Sequence, residues 1–343
     1  MEARNSWRLR AGILVVAATL PALAGARRDP EPDPPAHRFL LLRTFRESTL
    51  RNEVEKAATA GYRVVAGVGC RRLVLERMSH PQGIYQYRFA KSREEVNQAG
   101  SDGFRMLPLV RAWRGSKQEE YDQIFLMERS PGSDQRWEYT ETPRSSQSRV
   151  VRMTLGRLHF YGHLRDAVVI IETPAGAGLE REHPPYPFKT LSADTIAEMA
   201  DKLRMAAQAG WRVIAASDGS LEILLDKSGA GGEPCKYRIL STKRAGTMQR
   251  EMNEAAAKGF RLLPAATGAY MKGVFNTIDG VLTETFVVME KAPGAAAAFA
   301  YRLVTSQAEL NRAESLGYQV VAMKDFCIHE GVVFLERPLG PGR

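Results

Sequence analysis

Apolar and polar positions along this chain fall into a phrase that returns. At residues 61–77 it reads GYRVVAGVGCRRLVLER, at 210–227 GWRVIAASDGSLEILLDK, and at 317–337 GYQVVAMKDFCIHEGVVFLER. Gly61-Tyr62, Gly103-Phe104, Gly210-Trp211, Gly259-Phe260 and Gly317-Tyr318 mark five clear copies, and Gly156-Arg157 marks a degenerate sixth. Self-similarity at a period of roughly 40 to 60 residues signals a repeated supersecondary unit.

Each copy predicts the same elements. An aromatic-basic run opens it, as in Tyr87-Arg88-Phe89, Tyr237-Arg238-Ile239-Leu240 and Tyr301-Arg302-Leu303-Val304, and such residues suit a strand. A helix follows, started by a capping box at Ser92-x-x-Glu95, Thr195-x-x-Glu198 and Ser306-x-x-Glu309. Leu50, Val54, Ala57 and Ala58 make an apolar stripe at helical spacing in the first copy, and Leu310, Ala313 and Leu316 do so in the last. The recurring Gly falls where the stripe ends, at the left-handed position that only Gly adopts cheaply. Two strands complete the copy, the second closing on an acid: Glu76, Glu128, Glu172, Asp226, Glu290 or Glu336.

Four copies carry an Arg two places after the Gly (Arg63, Arg105, Arg212, Arg261), the last has Gln319 there, and the degenerate copy has Arg157 directly after Gly156. A simple hairpin places Arg63 opposite Glu76 around a turn centred between Gly69 and Cys70. It places Arg212 opposite Asp226 around Gly219. Such cross-strand charge pairs contribute roughly 0.2–1 kcal/mol each, a structural role. The Gly-to-acid interval runs short, long, short, twice over, and both long copies hold a proline in GFRMLP and GFRLLP. The expectation is therefore an α+β chain of six tandem βαββ repeat units in two pseudo-equivalent halves of three. The sheets would be mainly antiparallel, with helices on one face.

The expected halves span 37–173 and 188–338, joined by a linker at 174–187 (PAGAGLEREHPPYP) and followed by a tail at 339–343. The last copy, with Tyr301-Arg302-Leu303-Val304, Glu309-Leu310-Asn311, Gly317-Tyr318, Val320-Val321 and Phe334-Leu335-Glu336-Arg337, resembles a small bacterial domain of unknown function. That family reads aromatic-Lys strand, Leu-Asn helix, Gly-Trp-Glu-Leu-Val strand and closing Phe-Lys-Arg. The resemblance implies tandem βαββ copies over most of 37–338 and brings no activity or site. This chain departs from it in having Arg or Gln where the family has Glu after Gly-Trp.

Composition changes the picture mainly at the start. Arg4, Arg8 and Arg10 precede the apolar run AGILVVAATL and the small residues PALAGA, the order of a secretory signal cleaved near Ala24 or Ala26. The expected layout begins with a signal peptide at 1–26 and a flexible Pro-rich segment at 27–36, giving a periplasmic or secreted protein with no span after cleavage. An uncleaved anchor ending at Pro21 is the alternative. The formal charge of +9 falls to +7 without residues 1–26, and the cations interleave with Glu and Asp. That pattern fits a solvated surface better than a nucleic-acid footprint. Cys70, Cys235 and Cys327 permit one disulfide and lack zinc-binding spacing.

Candidate chemistry lies where the repeat breaks. Arg111, Trp113 and Arg114 in the long connector of the second copy could stack on a partner's ring with cations alongside, or pack back on their own sheet. Tyr270, Met271 and Phe275 in the matching connector of the fifth could form an apolar docking patch or a satellite core. His159 and His163 share a strand face at i and i+4 and could hold a metal with His183. Cys327 near His329 is the weakest hint, toward thiol catalysis. The chain holds no G-x-S-x-G elbow, Walker loop or dinucleotide fingerprint, and no cofactor is expected. The reading is an exported binding or scaffold protein that holds an envelope protein through its connectors. The alternatives are an envelope hydrolase with a site between the halves, or a binder of an anionic polymer.

Overall fold

The computed structural model describes residues 37–340 apart from 45–46, 69–71, 80–82, 115–121, 144–156, 162–167, 177–187, 217–220, 228–232, 243, 272–282, 295–297 and 322–330. The described residues form one compact unit. It is α+β, with six separate three-stranded antiparallel sheets among the described residues.

The first sheet holds β1 (Phe39–Leu42), β2 (Tyr62–Val68) and β3 (Arg72–Arg77), and the second β4 (Gln86–Ala90), β5 (Arg105–Arg114) and β6 (Asp122–Arg129). The third holds β7 (Trp137–Pro143), β8 (Arg157–Tyr161) and β9 (Val168–Pro174), and the fourth β10 (Phe188–Ser192), β11 (Arg212–Ala216) and β12 (Glu222–Asp226). The fifth holds β13 (Lys236–Thr242), β14 (Arg261–Met271) and β15 (Thr283–Lys291), and the sixth β16 (Ala298–Val304), β17 (Gln319–Val320) and β18 (Val333–Leu339). In every sheet the last strand in sequence lies in the middle. Covered on both faces, that strand reads as an unbroken apolar run, with Val74, Leu75, Leu126, Met127, Val287 and Val288 all buried.

A helix joins the first two strands of five sheets: α1 (Glu47–Thr59), α2 (Arg93–Ser101), α3 (Ile196–Gln208), α4 (Ala245–Ala256) and α5 (Gln307–Ser315). Ser92, Thr195 and Ser306 each accept a hydrogen bond from the backbone N–H three residues on. The reciprocal half of the box, Glu309 accepting from the Ser306 N–H, is present in α5. Gly61, Gly103, Gly210, Gly259 and Gly317 end the helices at φ of +80° to +86°. Leu50, Val54, Ala57 and Ala58 are buried as the stripe requires, but Leu316 is 45% exposed because α5 has already ended at Ser315.

Each described helix packs between its own sheet and the next. The buried face of α3 (Met199, Leu203, Ala206) meets Val213 and Ile223 of the fourth sheet on one side and Phe286 and Val288 of the fifth on the other. Similar cores join the first sheet to the second, the second to the third and the fifth to the sixth. Strands β8 and β11 join the third to the fourth. Leu310, Ala313 and Leu335 of the sixth sheet's unit then pack on Phe39, Leu41 and Val74 of the first. The neighbour relations therefore close on themselves, which the phrase in the sequence does not reveal.

Candidate functional site

Strand register explains the repeated acid. Glu76, Glu128, Glu172, Asp226, Glu290 and Glu336 all sit mid-sheet, each with an aromatic residue opposite on the first strand: Phe39, Tyr87, Tyr139, Phe188, Tyr237 and Tyr301. On the other side each acid faces Arg63, Arg105, Arg157, Arg212, Arg261 or Gln319. Arg63 and Glu76 are opposite each other, as are Arg212 and Asp226, as the hairpin arithmetic requires. A one-residue bulge after Val64, and another after Val213, then moves each turn by half a residue.

The expected ion pairs do not follow that register. Arg63 reaches forward to Glu128 of the second sheet, with Nη2 at 2.8 Å from Oε1 and Nε at 3.1 Å from both oxygens. Arg212 reaches Glu290 of the fifth at 3.2 Å, and Glu76 pairs with Arg38 at 2.6 Å. The cause is position: Arg63 and Arg212 lie on edge strands, so their long side chains extend past their own sheet. Arg105 pairs with Glu172 at 2.7 Å and Arg261 with Glu336 at 2.6 Å in the same forward sense.

A tyrosine completes each of these four junctions. Tyr87 accepts from the Val64 N–H at 2.9 Å and donates to Glu128 at 3.0 Å. Tyr139 accepts from Met106 and donates to Glu172, Tyr237 accepts from Val213 and donates to Glu290, and Tyr301 accepts from Leu262 and donates to Glu336. Three of the guanidinium groups also lie over the ring two residues before that tyrosine: Arg63 on Tyr85, Arg105 on Trp137 and Arg261 on Phe299, at 4.2–4.8 Å. Cys235 holds that place before Tyr237 as a buried free thiol. Burial, and then the carboxylate charge, push Tyr87 and Tyr139 well above the usual phenol range. The hydrogen bond that Arg63 donates to Glu128 raises its pKa above the usual guanidinium value, so the cation is held charged.

The base after the acid has its own task. Arg129 donates to the carbonyl of Asp102, Lys291 to that of Lys258 and Arg337 to that of Leu316, each the residue before a helix-ending Gly. A cation there satisfies orphan carbonyls and complements the helix dipole. In three sheets the dipeptide Glu-Arg or Glu-Lys thus ties one sheet to the preceding sheet's Arg and to its own helix. The hairpin pattern in the sequence pairs these charges within one sheet and marks Tyr87, Tyr237 and Tyr301 only as strand residues. The aromatic-x-Tyr pattern in Tyr85-Gln86-Tyr87, Trp137-Glu138-Tyr139 and Phe299-Ala300-Tyr301 was the available signal.

The candidate binding residues fall in the two hairpins that outgrow the rest. Strands β5 and β14 carry wide register shifts between Met106 and Arg111 and between Leu262 and Thr267, each spanning the proline of GFRMLP or GFRLLP. Proline has no N–H to give a ladder, so a bulge suits it. Beyond the bulge, Arg111 faces Phe125, Trp113 faces Gln123 and Arg114 faces Asp122, while Tyr270 faces Glu284 and Met271 faces Thr283. The backbone of both segments is therefore strand, where a connector was expected. Their side chains, and all of Phe275, lie outside the described residues. His159, on β8, faces Ile170 of β9, and His163, His183, Cys70, Cys327 and His329 lie outside the described residues. Among the described residues no group of three His, Cys, Asp or Glu could hold a metal, and no helix is long and apolar enough to cross a membrane. No protein-family model matches the chain, and no curated protein does.

Proposed function

We propose that the six sheets are six copies of one βαββ unit, in two halves of three, and that the chain is an exported scaffold that holds a protein partner through its two long hairpins. The unit would be kin to the small bacterial domain of unknown function that its last copy resembles. The observation that carries this reading is that four of the repeated Arg residues and four of the repeated acids are engaged in holding neighbouring sheets together. What remains for a partner are the features that break the pattern. The hairpins β5–β6 and β14–β15 break it in the same way, in the second and fifth sheets, three apart in a circuit of six. The halves are further supported by the two phenylalanines, Phe39 and Phe188, that replace the junction tyrosine at the start of each half. Loops on a rigid frame are where binding residues concentrate.

The test compares the chain lacking residues 1–26 with a version in which 115–121 and 272–282 are replaced by two-residue turns. Those replacements leave the buried Thr267 and the strand pairs intact. Each is used to capture proteins from an envelope extract, and a captured protein is then purified and titrated against both. Binding by the intact chain and loss on trimming supports the reading, whereas equal binding by both sinks it. Affinity that collapses between 50 and 200 mM salt, on the order of the loss seen for polyanions, would assign the surface to an anionic polymer instead.

A further inference from the structure

We propose that the junction between the sixth and first sheets is a separable seam, which opens while the junctions bearing an Arg–acid–Tyr contact stay shut. Among the described residues four junctions hold that contact, at Arg63–Glu128, Arg105–Glu172, Arg212–Glu290 and Arg261–Glu336. At the seam the corresponding places hold Gln319 and Phe39. The acid there, Glu76 on β3, takes its partner from its own sheet, where Arg38, just before β1, donates to it at 2.6 Å. Parting the sixth sheet from the first therefore breaks no ion pair at this position. Parting the second from the third would withdraw Arg105 from a carboxylate that is 0% exposed.

What holds the seam is apolar packing, the Gln307 amide and hydrogen bonds between neutral and charged groups: Arg43 donates to the Thr305 carbonyl, Arg72 to the Gly331 carbonyl, and Asn311 meets His37. Gln307 on α5 accepts from the Leu41 N–H and donates to the Phe39 carbonyl, both at 2.8 Å, and so covers the open edge of β1. Asn253 likewise accepts from the Tyr301 N–H and donates to the Tyr301 carbonyl on the first strand of the sixth sheet, and Asn97 accepts from the Tyr139 N–H on that of the third. The amide is thus common to seam and non-seam junctions, and the ionic contact is what sets them apart. Chain connectivity adds to the difference. Gln307 and Leu41 are 266 residues apart, whereas each other pair of neighbouring sheets is joined by a short connector. Opening at the seam releases two untethered faces and gains more chain entropy than opening at a tethered junction.

Hydrogen exchange on the full chain, read by mass spectrometry, tests this. Peptides covering 37–44 and 305–316 report on the seam, and those covering 97–107 and 249–262 report on junctions that hold the contact. The expected result is protection at the seam at least about tenfold lower, reached without global unfolding. Equal protection in all four peptides overturns the proposal. The double substitution Phe39→Tyr with Gln319→Arg installs the missing contact and should raise seam protection by about tenfold while leaving 97–107 unchanged. A folded double variant with unaltered seam protection also overturns it. If that variant does not fold, the comparison within the unsubstituted chain decides alone.

Discussion

Arg105 and Glu172 lie 67 residues apart on neighbouring sheets, yet Nε and Nη2 of the one reach a single carboxylate oxygen of the other at 2.8 and 2.7 Å. The carboxylate is fully buried, with the Tyr139 hydroxyl on its second oxygen. Arg261 and Glu336 repeat the contact in a wetter place, where the guanidinium is 57% exposed. One Arg–Glu–Tyr combination in two degrees of burial gives a comparison of what such a pair is worth.

Arg105→Ala should therefore cost about 3 kcal/mol, because it withdraws the cation from a charge held away from water. Arg261→Ala should cost under about 1 kcal/mol, since solvent screens the pair it breaks. Urea unfolding of both variants, read by circular dichroism, measures the difference. Equal costs would mean that burial of the acid does not govern the contact. Replacing Arg105 and Glu172 together by Met should recover most of the loss.

Alkali should loosen the fold through its tyrosines. Tyr87, Tyr139, Tyr237 and Tyr301 are all held above the ordinary phenol pKa, chiefly by burial. Above about pH 10 the unfolded chain sheds phenol protons that the folded chain keeps. Stability is then fully present below pH 10 and falls by about 1.4 kcal/mol per pH unit for each such tyrosine above it. Urea titrations at pH 9, 10 and 11 give the slope. Tyr87→Phe with Tyr139→Phe should reduce that slope by two protons, even though the variant starts less stable.

Gly100 should resist substitution although it lies within α2. Alanine is favoured over glycine in a helix by about 1 kcal/mol. Here a Cβ would sit 2.4 Å from the Trp137 carbonyl oxygen, a backbone atom of the next sheet. Overpacking of this kind costs roughly 1–3 kcal/mol and outweighs the helical gain. Thermal melts of Gly100→Ala and Gly246→Ala decide the sign, because Gly246 in α4 has open space around it. The first should melt lower than the unsubstituted chain and the second no lower.

Cys235 should be inert in the native protein. It is buried, and desolvation, followed by the Glu290 charge, raises its thiol pKa. Iodoacetamide labelling at pH 8 followed by peptide mapping should leave Cys235 unmodified until urea unfolds the chain. Rapid native labelling at that residue would contradict its packed position beside Tyr237.

Much of the architecture was written in local chemistry. Ser92, Thr195 and Ser306 start helices because their side chains satisfy an N–H three residues on, and Gly61, Gly103, Gly210, Gly259 and Gly317 stop them because the next backbone turn is left-handed. These are interactions over a few residues, so a linear reading finds them. The opposition of Arg63 to Glu76 was legible for the same reason, since a hairpin fixes which Cα atoms face each other. The partner of the charge was not. A guanidinium on an edge strand can reach several ångströms beyond its own sheet, and the carboxylate it meets depends on how the neighbouring sheet approaches. Register follows from the chain alone, whereas the pairing of Arg63 with Glu128 and the meeting of the sixth sheet with the first follow from packing. Local bonds set each sheet, and the burial of apolar faces between sheets set which charges meet.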